Sequence, residues 1–100
     1  MARVYLSAAA FADLERLEEF LWRSGDRQAY DMLAFILDAL QVLTHQPAIG
    51  RPVADALREL IVKRGRPGYL ARYDYDEVTD MVRVLRLRHQ REAGYSSYEL

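Results

Sequence analysis

Residues 69–95, YLARYDYDEVTDMVRVLRLRHQREAGY, are the most informative part of the sequence, because they join two apolar runs and then become cationic. Residues 69–75 and 81–87 have the composition of β-strands, and residues 76–80 (DEVTD) have that of a turn. Four arginines and His89 then lie between positions 83 and 91 with no acidic residue among them. The stretch therefore predicts an antiparallel strand pair with a basic, protonatable end.

Strand alternation predicts which of these side chains share a face of the sheet. One face is expected to carry Val82, Val84, Arg86 and Arg88, and the other Met81, Arg83, Leu85, Leu87 and His89. Arg86 and Arg88 would then lie together at one end of a groove, while His89 points away from them.

Composition limits the classes of protein that the chain can be. One hundred residues with 51% hydrophobic and 29% charged content predict a single domain over residues 1–100. The absence of cysteine excludes disulfides and thiolate metal sites, and a cytoplasmic location is expected. The longest apolar region, residues 32–43, contains Asp38 and Gln41 and is shorter than the ~20 residues of a membrane span. No signal peptide and no membrane segment are expected.

The first half of the chain has the pattern of a strand followed by a helical hairpin. Residues 3–6 are β-prone, and Ser7 is a suitable N-cap for a helix over residues 8–23. The apolar residues of this helix recur at helical spacing, at Phe11, Leu14, Leu17 and Leu21, whereas the acidic residues Asp13, Glu15, Glu18 and Glu19 fall largely on the other faces. Gly25 ends this helix, and a second helix is expected over residues 27–45 with His45 at its carboxyl end.

The second helix is apolar on two faces. One stripe consists of Ala29, Leu33, Ile36, Leu40 and Leu43, and the other of Met32, Phe35, Ala39 and Val42. A small sheet covers only one face, so the second stripe either packs within the fold or contacts a partner protein.

The second half predicts a small sheet. The prolines at positions 47 and 52 place residues 46–52 in a loop, and strands are expected over residues 57–64, 69–76 and 81–88. The fold class is therefore α+β in the order β-α-α-β-β-β, with a helical hairpin packed on a small, mainly antiparallel sheet.

Several candidate residues also have purely structural interpretations. Arg86 could pair across the sheet with Asp74 or Glu59, and nearby arginines would lower the pKa of His89 by like-charge repulsion. Tyr69, Tyr73 and Tyr75 share one face of a strand, a spacing typical of a core stripe. Residues 96–100 are expected to form a flexible tail.

The order of these elements and six short motifs resemble the ParE/RelE superfamily of toxins from type II toxin–antitoxin systems, also called plasmid stabilisation proteins. The motifs are LS at 6–7, ADL at 12–14, PAIGRP at 47–52, LREL at 57–60, GYLARY at 68–73 and VRVLRLRH at 82–89. The resemblance covers nearly the whole chain and implies a cytoplasmic bacterial toxin that forms a hetero-oligomer with a cognate antitoxin.

The superfamily contains two activities, and the resemblance leaves both open. RelE-like members cut mRNA on the ribosome without a metal, and ParE-like members inhibit DNA gyrase by binding. If the chain resembles the RelE-like enzymes, a set of its residues would stabilise the phosphate charge and transfer protons while the RNA 2′-hydroxyl attacks. These are Lys63, Arg72, Arg86, Arg88, His89 and Tyr95.

The sequence favours the ParE-like activity. Lys63 is the only lysine, Leu70 stands where RelE-like enzymes tend to carry an arginine, and the pI is about 6.1. A protein that binds ribosomal RNA usually carries more positive charge than this chain does. No cofactor or metal is expected, and no catalytic residue is favoured.

Two surfaces are expected to make contacts in a ParE-like toxin. The basic end would contact gyrase or an acidic antitoxin residue through Arg86, Arg88, His89, Arg91 and Tyr95. An antitoxin helix would dock on the second stripe of the second helix, Met32, Phe35, Ala39 and Val42.

Overall fold

The structure is a computed structural model that describes residues 1–25, 29–63, 68–92 and 94–95. Two helices pack on a five-stranded mixed sheet. The elements in chain order are β1 (Arg3–Leu6), α1 (Ala8–Arg23), α2 (Ala29–Leu40), a 3₁₀ helix (Gln41–Thr44), β2 (Arg51–Ala54), β3 (Leu57–Val62), β4 (Tyr69–Asp76) and β5 (Met81–His89). The predicted α+β class is confirmed.

The strand order β1-β5-β4-β3-β2 places the first and the last strand side by side. β1 pairs in parallel with β5, and the three other pairings are antiparallel. The basic strand β5 is therefore an interior strand, flanked by β4 on one side and by β1 on the other. The predicted tail, residues 96–100, lies outside the described residues.

The strand β2 corrects the prediction of a loop over residues 46–52. Arg51 pairs with Glu59 and Pro52 with Arg58, so the chain joins the sheet before the first predicted strand of this half. A proline is tolerated here because β2 is an edge strand, where a missing N–H need not interrupt a ladder.

A β-bulge in β5 corrects the predicted faces of that strand. Arg72 of β4 pairs with Arg86, but its neighbour Tyr73 pairs with Val84, so Leu85 is an extra residue in β5. The bulge reverses the alternation beyond it. As a result Val84 shares the buried face with Leu87, whereas Arg86 lies on the opposite face.

The second helix is shorter than predicted. It ends at Leu40 and tightens into the 3₁₀ helix, whose Thr44 carbonyl oxygen accepts the backbone N–H of Ala2 at 2.8 Å. This bond ties the start of β1 to the end of the hairpin. The predicted start of the second helix, residue 27, and the predicted end of β3, residue 64, lie outside the described residues. No helix of the described ranges has the length and apolar character that crossing a membrane requires.

The core lies between the sheet and the helices. Its buried side chains come from α1, α2, the 3₁₀ helix and strands β3, β4 and β5, and include Leu14, Leu17, Ile36, Leu40, Leu43, Val62, Tyr73, Val82, Val84 and Leu87. The predicted tyrosine stripe is confirmed, because Tyr73 is fully buried and Tyr69 and Tyr75 pack against the core. The aromatic spacing of β4 therefore serves packing.

Tyr73 also fixes the loop before β2. Its hydroxyl accepts the N–H of Gly50 at 2.8 Å and donates to the carbonyl of Pro47 at 2.8 Å. Arg58 donates to the Gly50 carbonyl at 2.8 Å, so both backbone polar groups of Gly50 are bonded. A Cβ at position 50 would lie 2.7 Å from the Tyr73 hydroxyl. Position 50 therefore has no space for a side chain.

We expect Gly50→Ala to lower the free energy of unfolding by about 2–4 kcal/mol, because the methyl group displaces Tyr73 and breaks a buried hydrogen bond. Urea denaturation followed by circular dichroism measures this change. Gly94→Ala is the matched control, because no atom lies within 4 Å of a Cβ built there. An equal effect of the two substitutions would contradict this account of the loop.

Candidate functional site

Asp13 is the most deeply buried charged residue near the basic end, with 0% of its surface exposed. The Nε of Arg86 donates to Asp13 Oδ2 at 2.8 Å, and an Nη donates to Oδ1 at 3.1 Å. The backbone N–H of Leu87 also donates to Oδ2, at 2.8 Å. The sequence prediction that placed Asp13 with the solvent-facing acidic residues is therefore wrong.

The edge of β5 explains why a carboxylate is buried there. β1 pairs with β5 only as far as Val84, so the second half of β5 has no strand neighbour on that side. The start of α1 takes its place: the Ser7 hydroxyl donates to the Leu85 carbonyl at 2.8 Å, and Asp13 accepts from Leu87. Ser7 also caps α1 by accepting the N–H of Ala10, as predicted.

The predicted cross-sheet partners of Arg86 are incorrect. Asp74 pairs with Arg83 at 2.8 Å, and the nearest ion pairs of Glu59 are with Arg51 and Arg72. Arg86 reaches α1 instead, where Asp13 accepts from its guanidinium and also from the Leu87 N–H at the unpaired edge of β5. Arg86 is itself 5% exposed, so its guanidinium is held inside the fold.

Glu59 is a buried carboxylate on the same face of the sheet as Arg72 and Arg86, with 4% of its surface exposed. Its Oε2 accepts the Tyr95 hydroxyl at 2.7 Å and an Nη of Arg72 at 3.2 Å, and Oε1 accepts from Arg51 at 3.3 Å. Burial acts to raise the pKa of Glu59, but these three donors outweigh it and lower the pKa below its usual value. Glu59 is therefore charged at neutral pH.

The Tyr95 ring lies among three guanidinium groups. Its centroid is 4.8 Å from the guanidinium carbon of Arg72, 5.4 Å from that of Arg86 and 5.3 Å from that of Arg88. Burial, together with the bond to Glu59, raises the pKa of Tyr95 to about 12. We call Glu59, Arg72, Arg86, Arg88 and Tyr95 the arginine face.

His89 lies on the opposite side of β5, as predicted. Its ring packs edge-on against Tyr69 with 5.3 Å between centroids, and its Nδ1 accepts the N–H of Arg91 at 3.2 Å. The pKa of His89 is lowered, mainly by burial and secondarily by Arg91. The predicted direction of the pKa shift is confirmed, but arginine repulsion is not its main cause.

Two other predicted site residues lie apart from the arginine face. Lys63 is exposed just beyond β3, and within the described ranges no ion pair joins it to the arginine face. Arg91 is exposed and lines a groove on the helical side. The structure therefore gathers four of the six predicted nuclease residues, Arg72, Arg86, Arg88 and Tyr95, and separates Lys63 and His89 from them.

A groove of about 400 Å³ separates α1 from the ends of β4 and β5. It is lined by Arg16, Leu17, Phe20, Leu21, Tyr69, His89, Arg91 and Glu92. Phe20 forms part of its wall although 66% of its surface is exposed. The surface of this groove is largely apolar, although the charged residues Arg16, Arg91 and Glu92 also line it.

The apolar surface predicted on α2 is only partly present. Met32 is 3% exposed and belongs to the core, so it is unavailable to a partner. Phe35, Ala39 and Val42 are half-buried and pack against the core. Both stripes of the helix therefore contribute to the fold, because the first helix and the sheet cover α2 from two sides.

Comparison with known proteins assigns the family. A family profile described as the ParE toxin of the type II toxin–antitoxin system parDE matches residues 4–94. The chain belongs to the ParE toxin family. It is a toxin of a type II toxin–antitoxin system. No curated protein sequence matches it significantly.

Two solved structures share the fold of this ParE-family chain. One is the chromosomal ParDE toxin–antitoxin system of P. aeruginosa, with a TM-score of 0.72, 19% identity, and coverage of 89% of this chain and 96% of that chain. The other is the toxin–antitoxin complex RelBE2 of Mycobacterium tuberculosis, with a TM-score of 0.54, 20% identity, and coverage of 89% and 98% respectively. At these identities the likeness establishes the fold.

Sequence reasoning missed Asp13 and Glu59 as site residues of the ParE-family chain. Both lie in motifs that carried the resemblance, ADL at 12–14 and LREL at 57–60. An acidic residue inside such a motif, in a chain with a basic end, was the available signal. Among the described residues no group of three or more potential ligands is placed to hold a metal ion.

We expect Asp13→Asn to lower the free energy of unfolding by about 3–5 kcal/mol, because it removes the buried carboxylate that pairs with the Arg86 guanidinium. The substitution keeps the size of the side chain, so the loss reports charge and hydrogen bonding. Chemical denaturation measures this loss. The control is Asp38→Asn at an exposed position of α2, for which we expect a free energy of unfolding within about 0.5 kcal/mol of wild type. A loss below 1 kcal/mol for Asp13→Asn would contradict the importance of this pair.

Proposed function

We propose that this toxin acts by binding: it inhibits DNA gyrase and is neutralised by a cognate antitoxin, with which it forms a hetero-oligomer in the cytoplasm. The observation that carries the proposal is the presence of two buried carboxylates, Asp13 and Glu59, at the arginine face. Each one neutralises an arginine that an RNA-cleaving site would need for phosphate.

Charge balance argues against phosphate binding at the arginine face. Arg86 is paired with Asp13, and Arg72 with Glu59, while Arg88 donates to the carbonyl of Glu92 at 2.8 Å. A phosphate entering between Arg72 and Arg88 would also meet the Glu59 charge. Because phosphate neutralisation supplies most of the affinity for nucleic acid, this face is poorly suited to RNA.

Proton transfer is also unfavourable at Tyr95. A general base works best when its pKa is close to the working pH, whereas the Tyr95 pKa is raised to about 12 and its proton is held by Glu59. His89, whose pKa is lowered mainly by burial, faces the groove on the other side of β5. Neither group is placed as the base of this face.

One observation favours the alternative function, a RelE-like mRNA endonuclease. Three guanidinium groups converge on one tyrosine, which is the combination that metal-free attack by a 2′-hydroxyl requires. For this function Glu59 would have to release Tyr95 and Arg72 on the ribosome. We therefore keep this activity as the second candidate.

We expect the purified toxin at micromolar concentration to inhibit supercoiling by gyrase and to leave translated mRNA intact. Addition of the cognate antitoxin should restore supercoiling. Gel assays of plasmid topology and primer extension on messages isolated after induction measure the two activities. Unaffected gyrase would rule out the first proposal, and in-frame cuts abolished by Arg72→Ala or Tyr95→Phe would establish the nuclease instead.

The groove beside α1 is the surface that we propose for the antitoxin helix. Both similar structures come from toxin–antitoxin systems, and an amphipathic helix in an apolar groove is a common mode of peptide recognition. The exposed Arg91 at the rim suits an acidic residue of such a helix. Phe35, Ala39 and Val42 retain exposed surface and could contact another part of the same antitoxin.

We expect Phe20→Ala to weaken antitoxin binding by tenfold or more, because an aromatic wall of a recognition groove typically contributes more than 1 kcal/mol. Phe11→Ala is the matched control: Phe11 is on the same helix and 55% exposed, but it does not line the groove. Isothermal titration calorimetry measures both affinities. Equal affinities of the two variants would place the antitoxin helix elsewhere.

A further inference from the structure

The residues that follow β5 are held by polar contacts on both sides of the sheet. The side chain of Gln90 accepts the N–H of Gly68 at 2.6 Å, and its backbone N–H donates to the Gly68 carbonyl at 2.9 Å. Tyr95 is held by Glu59 and by the guanidinium groups around its ring. We call residues 90–92 together with Tyr95 the C-terminal strap.

Glu92 links the strap to α1. Its two carboxylate oxygens accept from the guanidinium of Arg16 at 2.9 and 3.3 Å, and one of them also accepts the backbone N–H of His89 at 2.9 Å. Its carbonyl oxygen accepts from Arg88, one of the arginines stacked on Tyr95. Glu92 therefore contacts α1 on one side and the arginine face on the other.

Glu92 and its contacts with Arg16 and Arg88 connect the groove to the arginine face. Arg16, His89 and Glu92 all line the groove, and Arg88 belongs to the arginine face. The side chains of Arg16 and Glu92 are 30% and 28% exposed, so an incoming molecule can reach both of them. A partly exposed ion pair is weak, and an acidic side chain of a groove ligand can replace Glu92 as the partner of Arg16.

We propose that the Arg16–Glu92 pair couples the groove to the arginine face, so that an acidic helix seated in the groove loosens the strap and frees Tyr95. The identity of the helix as the antitoxin rests on the function proposed above, but the coupling is a property of this chain alone. By thermodynamic reciprocity, a ligand that holds Tyr95 on the arginines weakens binding in the groove to the same degree.

The coupling can be tested on the isolated toxin by breaking the pair from either side. We expect Glu92→Ala and Arg16→Gln both to lower the Tyr95 pKa from about 12 toward 10, an increase in acidity of up to about 100-fold. Carbon-13 NMR of the labelled tyrosine Cζ measures this titration. The control is Glu19→Ala, which removes an exposed ion pair with Arg23 on the same helix and should leave Tyr95 unchanged.

The two substitutions separate loosening from simple electrostatics. Loss of the Glu92 anion would by itself favour ionisation of Tyr95, whereas loss of the Arg16 cation would disfavour it. A fall of the Tyr95 pKa in both variants therefore supports the coupling. Shifts in opposite directions, or no shift in folded variants, would overturn it.

Hydrogen exchange of the wild-type toxin provides a second test if the variants fail to fold. The N–H groups of Gln90 and Glu92 should exchange through one common opening, faster than that of Leu87, which is bonded to Asp13. Exchange as slow as that of Leu87 would contradict an independent strap.

Addition of the purified antitoxin should accelerate exchange at Gln90 and lower the Tyr95 pKa. Bound antitoxin with unchanged exchange would overturn the coupling. An antitoxin that binds without contacting the groove would contradict only the proposed docking surface, because the Glu92 and Arg16 variants test the coupling without a partner.

Discussion

The carboxylate of Asp13 is the group on which the rest of the structure depends. It joins α1 to β5 across 73 residues of sequence, by a bidentate pair with Arg86 and a bond from the Leu87 N–H. The contact fixes α1 along the part of β5 that β1 leaves unpaired. Because two charges buried without each other would be strongly unfavourable, the pair admits one position of the helix on the strand. That position sets both the arginine face and the groove.

Carboxylates inside the fold explain how a chain with a net charge of −1 carries so basic an end. Asp13 neutralises Arg86, and Glu59 neutralises Arg72 while accepting a hydrogen bond from the Tyr95 hydroxyl. The face therefore resembles a phosphate site in its arginines but differs from one in its local charge. This difference supports a toxin that acts by binding. The arrangement also places polar, partly exposed contacts at the end of the chain, where a partner can compete for them.

Local chemistry accounts for the features that could be predicted. The helical spacing of Leu14 and Leu17, the Ser7 cap and the tyrosine stripe of β4 all depend on near neighbours in sequence, and the structure confirms each of them. The errors arise where strands pair with one another. Leu85 forms a bulge opposite β4 that the composition of β5 does not reveal, and β2 pairs with β3 although the prolines at positions 47 and 52 predict a loop. Periodicity also predicts that an acidic residue on a helix is exposed. An arginine that is distant in sequence can nevertheless stabilise such a residue inside the fold, as Arg86 does for Asp13.

Sequence patterns alone predict the α+β class, the helical hairpin, the main strands and, through the short motifs, the toxin family. They also predict that Arg86 and Arg88 lie together and that His89 faces away from them. The partners of the polar residues at this end of the sheet become visible in the folded chain: Asp13 for Arg86, Glu59 for Tyr95, and Arg16 for Glu92. The physical reason is that period and propensity act over a few residues, whereas the pairing of charges depends on which distant elements the sheet brings within about 3 Å.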